Sequence, residues 1–272
     1  RLEEMEMRRE QEELEAKAAL IREQLANPES LKTLIINELK DDAKKYGDDR
    51  RSPIVHRAEA TAMSEQDFMP ADPVTVVLSE AGWIRSAKGH EVDAENLNFR
   101  AGDQYLSHAQ GKSNQRVYVL DESGRSYALA INSLPSARGL GEPLSSKLSP
   151  ASGIGFKQVF IADDETEVVA LSSKGYGFKT QAKQLDTNAK AGKAFLTLPE
   201  KATVMKLTSV DQETHLALLT STGRLLILEL SELPVLNKGK GNKLIQLEEK
   251  DQIVFMTRLT LDEILQVVAG QQ

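Results

Sequence analysis

Six lysines and arginines flank or sit among glycines in three short strings: Arg138-Gly139-Leu140-Gly141, Lys190-Ala191-Gly192-Lys193 and Lys238-Gly239-Lys240-Gly241-Asn242-Lys243. Glycine lets backbone N–H groups approach a phosphate, and lysine or arginine supplies the charge. One such string is most simply an exposed, charged turn. Three strings at one place in successive repeats favour a duplex held by its backbone without base specificity. Arg85 and Lys88 extend the series on the first repeat, where Arg100 and Gly102 replace the fuller motif. The expected DNA-binding set is therefore Arg85, Lys88, Arg100, Arg138, Lys190, Lys193, Lys238, Lys240 and Lys243.

Other chemistry has little footing. Gly111-Lys112-Ser113 resembles the end of a phosphate-binding loop, but Leu106 stands where the glycine five positions earlier should be. Gly153-x-Gly155 lacks the third glycine of a dinucleotide fingerprint and a following helix. His56, His90, His108 and His215 have no metal-ligand spacing, and there is no cysteine, hence no disulfide or thiolate chemistry. No carboxylate pair is marked as catalytic, so no catalytic and no metal residue is expected. Trp83, Tyr127, Tyr176 and Phe178 follow turn glycines and could stack on bases. They are assigned instead to packing between strands.

The elements that would position these loops are repeats. The segments VTVVLSEAGWIRSAKG, RVYVLDESGRSYALAINSLP, EVVALSSKGYGFKTQAKQL and LALLTSTGRLLILELSELP each place a turn glycine between apolar runs, at Gly82, Gly124, Gly175 and Gly223. The intervals are 42, 51 and 48 residues, and Gly270 follows after a further 47. Gly102, Gly141, Gly192 and Gly241 trail their turn glycines by 20, 17, 17 and 18 residues. Repeats of this length, each a β-hairpin plus further strand, predict propeller-like blades. The fold expected is mainly β: a propeller-like pinwheel of four complete blades and a partial fifth, preceded by α-helices. Ile253–Met256 and Ile264–Val268 are the expected first strands of the fifth repeat, which leaves an open edge.

Ahead of the repeats, residues 1–25 predict a helix with Leu2, Met5, Leu14, Ala18, Ile21 and Leu25 on one stripe, suited to a two-helix coiled coil. Asn27-Pro28 should cap and start a second helix, with Leu31, Leu34, Ile35 and Leu39 as its buried face and Gly47 past its end. The domain boundaries expected are 1–53 for the helices, 54–73 for a linker and 74–272 for the β domain. The net charge is −7, but residues 73–247 carry 20 basic and 18 acidic side chains, so the acidity lies outside the repeats. A local basic stripe matters more to phosphate than the total. No apolar run approaches the ~20 residues that span a bilayer. No leader is evident, and the first residue is arginine. A chain that starts so and stops just after a hairpin turn suggests a fragment.

The strings YGDDRRSP, GWIRSAKGH, SARGLGEPL, AGKAFLTLP and NKGKGNKLIQL, along nearly the whole chain, resemble the C-terminal part of the A subunits of bacterial DNA topoisomerase IV. The resemblance implies a coiled-coil end followed by a β-pinwheel whose blades exchange strands, binding and bending DNA and guiding the choice of substrate. The enzyme it implies is an ATP-dependent type II topoisomerase that decatenates chromosomes and relaxes supercoils. It is an A2B2 tetramer that uses ATP and Mg bound elsewhere, and its DNA-cleaving tyrosine lies upstream of this region. No cofactor is then expected here. The partners expected are double-stranded DNA, the rest of the A chain of the tetramer, and its B chain. The location expected is the cytoplasm with the chromosome, peripheral association with the inner membrane included. Gyrase A subunits are the next relatives, and their Gln-Arg-Arg-Gly-Gly-Lys-Gly box is absent. The three basic loops look like degraded versions of it, which implies weaker bending and no strong introduction of negative supercoils. The competing readings are a protein-binding propeller scaffold, and more distantly a free-standing propeller enzyme with a central pocket.

Overall fold

The computed structural model describes residues 2–49, 52 and 70–267. It divides into two compact units, residues 1–61 and 62–272. The expected linker falls mostly on residues 54–69, outside the described residues.

Among the described residues the first unit holds two helices, α1 (Leu2–Ala26) and α2 (Pro28–Tyr46). Asn27 caps α2, its side chain accepting the Glu29 N–H at 3.1 Å, and Pro28 occupies the first turn, where a missing N–H costs nothing. Gly47 stands just past the end of α2, as expected, in an extended conformation. The expected buried face of α2 is corrected. No α2 residue is buried, and Leu31, Ile35 and Leu39 are 44–63% exposed. Met5, Leu14, Ile21 and Leu25 on α1 are likewise exposed.

The second unit is four antiparallel sheets. The first contains β1 (Pro73–Ser79), β2 (Trp83–Lys88), β3 (Tyr105–Lys112) and β6 (Glu142–Pro143), in the order β3-β1-β2-β6. The second contains β4 (Arg116–Asp121), β5 (Arg125–Ala130), β7 (Phe156–Phe160) and β10 (Lys193–Ala194), ordered β10-β5-β4-β7. The third contains β8 (Glu167–Leu171), β9 (Tyr176–Gln181), β11 (Thr208–Val210) and β14 (Asn242–Lys243), ordered β11-β8-β9-β14. The fourth has three strands, β12 (His215–Thr220), β13 (Leu225–Glu229) and β15 (Ile253–Leu259), ordered β13-β12-β15. The four turn glycines expected from sequence each close a hairpin at φ between 78° and 85°, their N–H groups reaching back three residues.

Apolar residues run continuously through β4 and β8 because both faces of these strands are covered. Val117 and Val119 pack toward the first sheet, while Tyr118 and Leu120 pack toward the third. Val168 and Ala170 face the second sheet, and Val169 and Leu171 face the fourth. A half-exposed strand would alternate with polar residues; these cannot. Three hydrophobic clusters thus fill the spaces between four blades.

The blades converge along their third strands. β3 lies beside β7, and β11 beside β15. Val159 N–H donates to Ser107 Oγ at 3.4 Å, and Leu207 N–H to Gln158 Oε1 at 2.9 Å, crossing between neighbours. The opposite edges, β6, β10 and β14, are therefore the outer ones.

The end of the β unit differs from expectation. Ile253–Met256 belongs to β15, the third strand of the fourth blade, and residues 264–267 form no strand. Val268 and Gly270 lie outside the described residues. Among the described residues the fourth sheet has three strands, and no strand pairs with the outer side of β13. Turn glycines mark hairpins, but each of the first three sheets takes its last strand from the following repeat, so a repeat and a blade are out of phase.

Candidate nucleic-acid interface

The outer strands β6, β10 and β14 are two-residue pieces lent by the next repeat, pairing with β2, β5 and β9. Each begins directly after a glycine of the second series, Gly141, Gly192 or Gly241, at φ of 91°, 70° and 76°. A Cβ on Gly241 would stand 2.0 Å from the Gly177 carbonyl oxygen, and one on Gly141 2.5 Å from that of Ile84. Sequence reasoning assigns these glycines to phosphate approach. The neighbouring blade fills that side of them, so their smallness serves strand exchange.

The basic strings that lead into these strands are joined to one another. Ser149 N–H donates to Lys190 O at 2.7 Å. Gly239 N–H donates to Phe195 O, and Thr197 N–H to Gly239 O, both at 2.8 Å. Successive loops thus form one continuous outer border, as the register of the repeats suggested.

Most of the expected residues stand on this border. Lys88, Arg100, Arg138, Lys190, Lys238, Lys240 and Lys243 are exposed. Lys88 and Arg138 line one shallow groove with Leu97, Ser136 and Ala137. Arg100 lies over the Trp83 ring at 4.3 Å, and Trp83 pairs with Pro143 of β6. Lys240 Nζ sits 3.9 Å from the centre of the Tyr176 ring. Lys193 is half-buried and donates to Gln184 O at 2.8 Å.

Arg85 is a correction. It is 3% exposed, donating from Nη1 to Gly139 O at 3.0 Å and from Nη2 to Asn98 O at 2.8 Å. Its guanidinium also lies 4.9 Å from the Phe99 ring. Burial lowers its pKa from the ordinary arginine value, against the pull of Asp103. Both faces of β2 are covered here, with Ile84 buried on one and Arg85 on the other, which a basic residue near a turn does not advertise.

Sequence reasoning missed Arg125, Arg116 and Lys147. Arg125 donates from Nε to Ala191 O at 3.0 Å and from Nη2 to Gly192 O at 2.7 Å. Arg116 pairs with Asp186 at 2.9 Å and reaches Asn188 Oδ1 at 3.2 Å, steadying the run into the second loop. Lys147 pairs with Glu142 at 2.9 Å, offsetting the one acid in β6. Arg125 directly follows the turn Gly124, the only signal that could have found it.

The remaining side chains have structural places. Tyr127 and Phe178 are fully buried between blades, so the packing assignment holds for both. Ser113 closes the end of β3, its N–H donating to Asp72 O at 2.8 Å, as a loop between strands would. His90, His108 and His215 bond to Gly111 O, Tyr105 and Thr214 respectively, far apart in sequence and partner. Among the described residues no three His, Cys, Asp or Glu are grouped to hold a metal ion.

Comparison with known proteins places this geometry. The family described as DNA gyrase C-terminal domain, beta-propeller, matches residues 166–211 and 214–260, the third and fourth repeats. The DNA topoisomerase 4 A subunit of Pseudomonas aeruginosa is 50% identical over 248 residues, covering 90% of this chain and 33% of that protein. The Escherichia coli K12 protein of the same name is 46% identical over 248 residues, covering 91% and 33%. The chain thus spans about a third of the length of these curated relatives. Among solved structures, the E. coli ParC C-terminal domain is 42% identical with a TM-score of 0.65, covering 70% of this chain and 80% of that one. The DNA gyrase A C-terminal domain, at 16% identity and a TM-score of 0.54 over 69% of this chain and 66% of that one, shares the fold.

Proposed function

The chain belongs to the family of DNA topoisomerase IV A subunits, as part of their C-terminal region, and we propose that its β unit binds and bends duplex DNA without reading sequence. In that reading it guides which duplexes a type II topoisomerase passes through one another during decatenation and relaxation. The cleavage chemistry, ATP and Mg belong to other parts of an A2B2 enzyme acting on the chromosome in the cytoplasm.

One observation carries the proposal. The three basic loops form a laced outer border, with Arg138, Lys190, Lys238, Lys240 and Lys243 exposed along it. A row of exposed cations along hydrogen-bonded outer segments suits a duplex that bends to follow them, with contacts to phosphates only.

The test is binding of linear duplex over a salt series. Beside the wild type stands a variant with Arg138, Lys190, Lys193, Lys238, Lys240 and Lys243 changed to alanine. The wild type should bind without sequence preference, and the variant weakly with a shallower slope, each lost phosphate contact removing ~0.9 from the log–log slope. Equal binding by both would move the DNA path elsewhere on the blades. A second reading, a protein-binding scaffold, draws on the exposed Leu225, Ile227 and Phe255 of the fourth blade. Failure of the wild type to bind at low salt would favour it.

A further inference from the structure

We propose that Arg85 and Arg125 are positioning residues that fix the first two basic loops in shape before a duplex arrives. This rests on the reading of those loops as the DNA-contacting border.

The two arginines act on the same kind of loop from different positions, Arg85 as the third residue of β2 and Arg125 as the first of β5. Each stands on the second strand of a blade and grips the loop lent by the following repeat. Arg85 on β2 holds Gly139 O and Asn98 O at 3.0 and 2.8 Å, and Arg125 on β5 holds Ala191 O and Gly192 O at 3.0 and 2.7 Å. The same strands also fill the space beside the loop glycines, Ile84 O against Gly141 and Ser126 O against Gly192. Each loop is therefore held twice, by a glycine with no Cβ and by a guanidinium on its carbonyls.

A trans peptide that turns its carbonyl inward turns the following N–H outward. With Gly139 O on Arg85, the N–H of Leu140 faces away from the blade, beside the exposed Arg138. The inward cation thus orders an outward donor next to an outward cation. Holding two carbonyls at once, Gly139 and Asn98 from separate segments for Arg85 and the successive Ala191 and Gly192 for Arg125, needs the planar fork of a guanidinium, and a lysine ammonium on its flexible stem does not reproduce it. The third loop has no arginine at either place, since Phe178 stands third in β9 and Tyr176 first. Tyr176, the first residue of β9 as Arg125 is of β5, takes Lys240 on its ring instead.

The experiment uses the 272-residue chain with R85K, R85M, R125K, R125M and R138A, and the double variant R85K/R138A. Amide hydrogen exchange and thermal unfolding are measured without DNA, and linear-duplex affinity over a salt series. R85K should speed exchange across residues 138–141 and R125K across 189–193, each sparing the other loop. Both substitutions at each site should weaken binding roughly three- to tenfold at every salt concentration, with the wild-type slope. R138A should flatten the slope by about 0.9 and lose less when Arg85 is already lysine. Half-exposed Arg125 keeps the test available should an Arg85 variant fail to fold.

R85K binding like the wild type while R85M flattens the slope by about 0.9 would make Arg85 a phosphate contact and overturn the proposal. Variants that melt lower yet bind as the wild type would reduce both arginines to structural residues. Unchanged exchange would overturn the clamps alone. A wild type that binds no duplex at low salt would overturn the DNA reading and the positioning role with it.

Discussion

Gly241 and Gly223 show how one residue type serves two purposes here. Both have positive φ, 76° and 82°, but a Cβ on Gly223 meets open space while one on Gly241 meets the Gly177 carbonyl. Gly223→Ala should cost about 1 kcal/mol, the strain of an L-residue in the left-handed region. Gly241→Ala should cost at least ~3 kcal/mol, because a backbone contact is added to that strain. Urea unfolding of the two variants measures the gap, and equal costs would remove the exchange argument for Gly241. The pair Tyr127 and Asp121 makes a second prediction. Tyr127 donates to Asp121 Oδ2 at 2.9 Å, and burial, then that bond and the Asp121 charge, push its pKa to about 12. A phenol raised in the folded state stabilises fully below its unfolded value of 10.0 and loses that contribution as pH climbs toward about 12. Tyr118, also pushed to about 12, adds to the same loss. Thermal unfolding followed from pH 9 upward should therefore fall less steeply in Tyr127→Phe, from a lower starting stability.

At the scale of the element, β13 is the hairpin strand with no outer neighbour among the described residues. Its counterparts β2, β5 and β9 each receive a two-residue piece, and β13 presents its unpaired backbone with Leu225 and Ile227 47% and 48% exposed. Phe255 on β15, paired opposite Leu219, enlarges the same apolar face. Unpaired edges beside apolar faces invite another copy. Ile227→Lys should suppress concentration-dependent association in sedimentation while leaving the melting temperature nearly unchanged, since the side chain is half in water already. A clear drop in melting temperature with association intact would show that Ile227 packs within one molecule. The hairpins were legible because period-2 runs and a turn glycine are local signals. The out-of-phase blade was not, since the pairing of β6 with β2 depends on residues a repeat away. The helices show the converse. Their stripes were legible from periodicity, but whether a stripe is covered depends on surfaces that periodicity does not describe.

At the scale of the whole molecule, charge is segregated. The chain carries −7 overall, yet its outer border presents lysines and arginines, so total charge is a poor guide to its partner. If all six substituted cations touch phosphates, the sextuple alanine variant should flatten the salt slope by up to about five. A much smaller change would mean that the duplex crosses only part of the border. The sequence located this border well because its cations recur with the glycines. It misplaced Arg85 because both faces of β2 are covered there, and the groups that cover Arg85, Asn98 and Gly139, lie 13 and 54 residues away in sequence. It left Arg125 unseen because a residue that acts on a backbone carbonyl leaves no partner in the sequence to match it with.

Strand exchange also sets a schedule for synthesis. The first blade cannot close when its hairpin emerges, because β6 is translated only after the whole second hairpin. At about 5–20 residues per second that wait lasts several seconds. Each nascent blade therefore spends that interval with a bare edge, and the growing chain always carries one unfinished sheet at its leading end. A ribosome stalled between hairpins would hold that edge open, the stage at which chaperones would have most to protect.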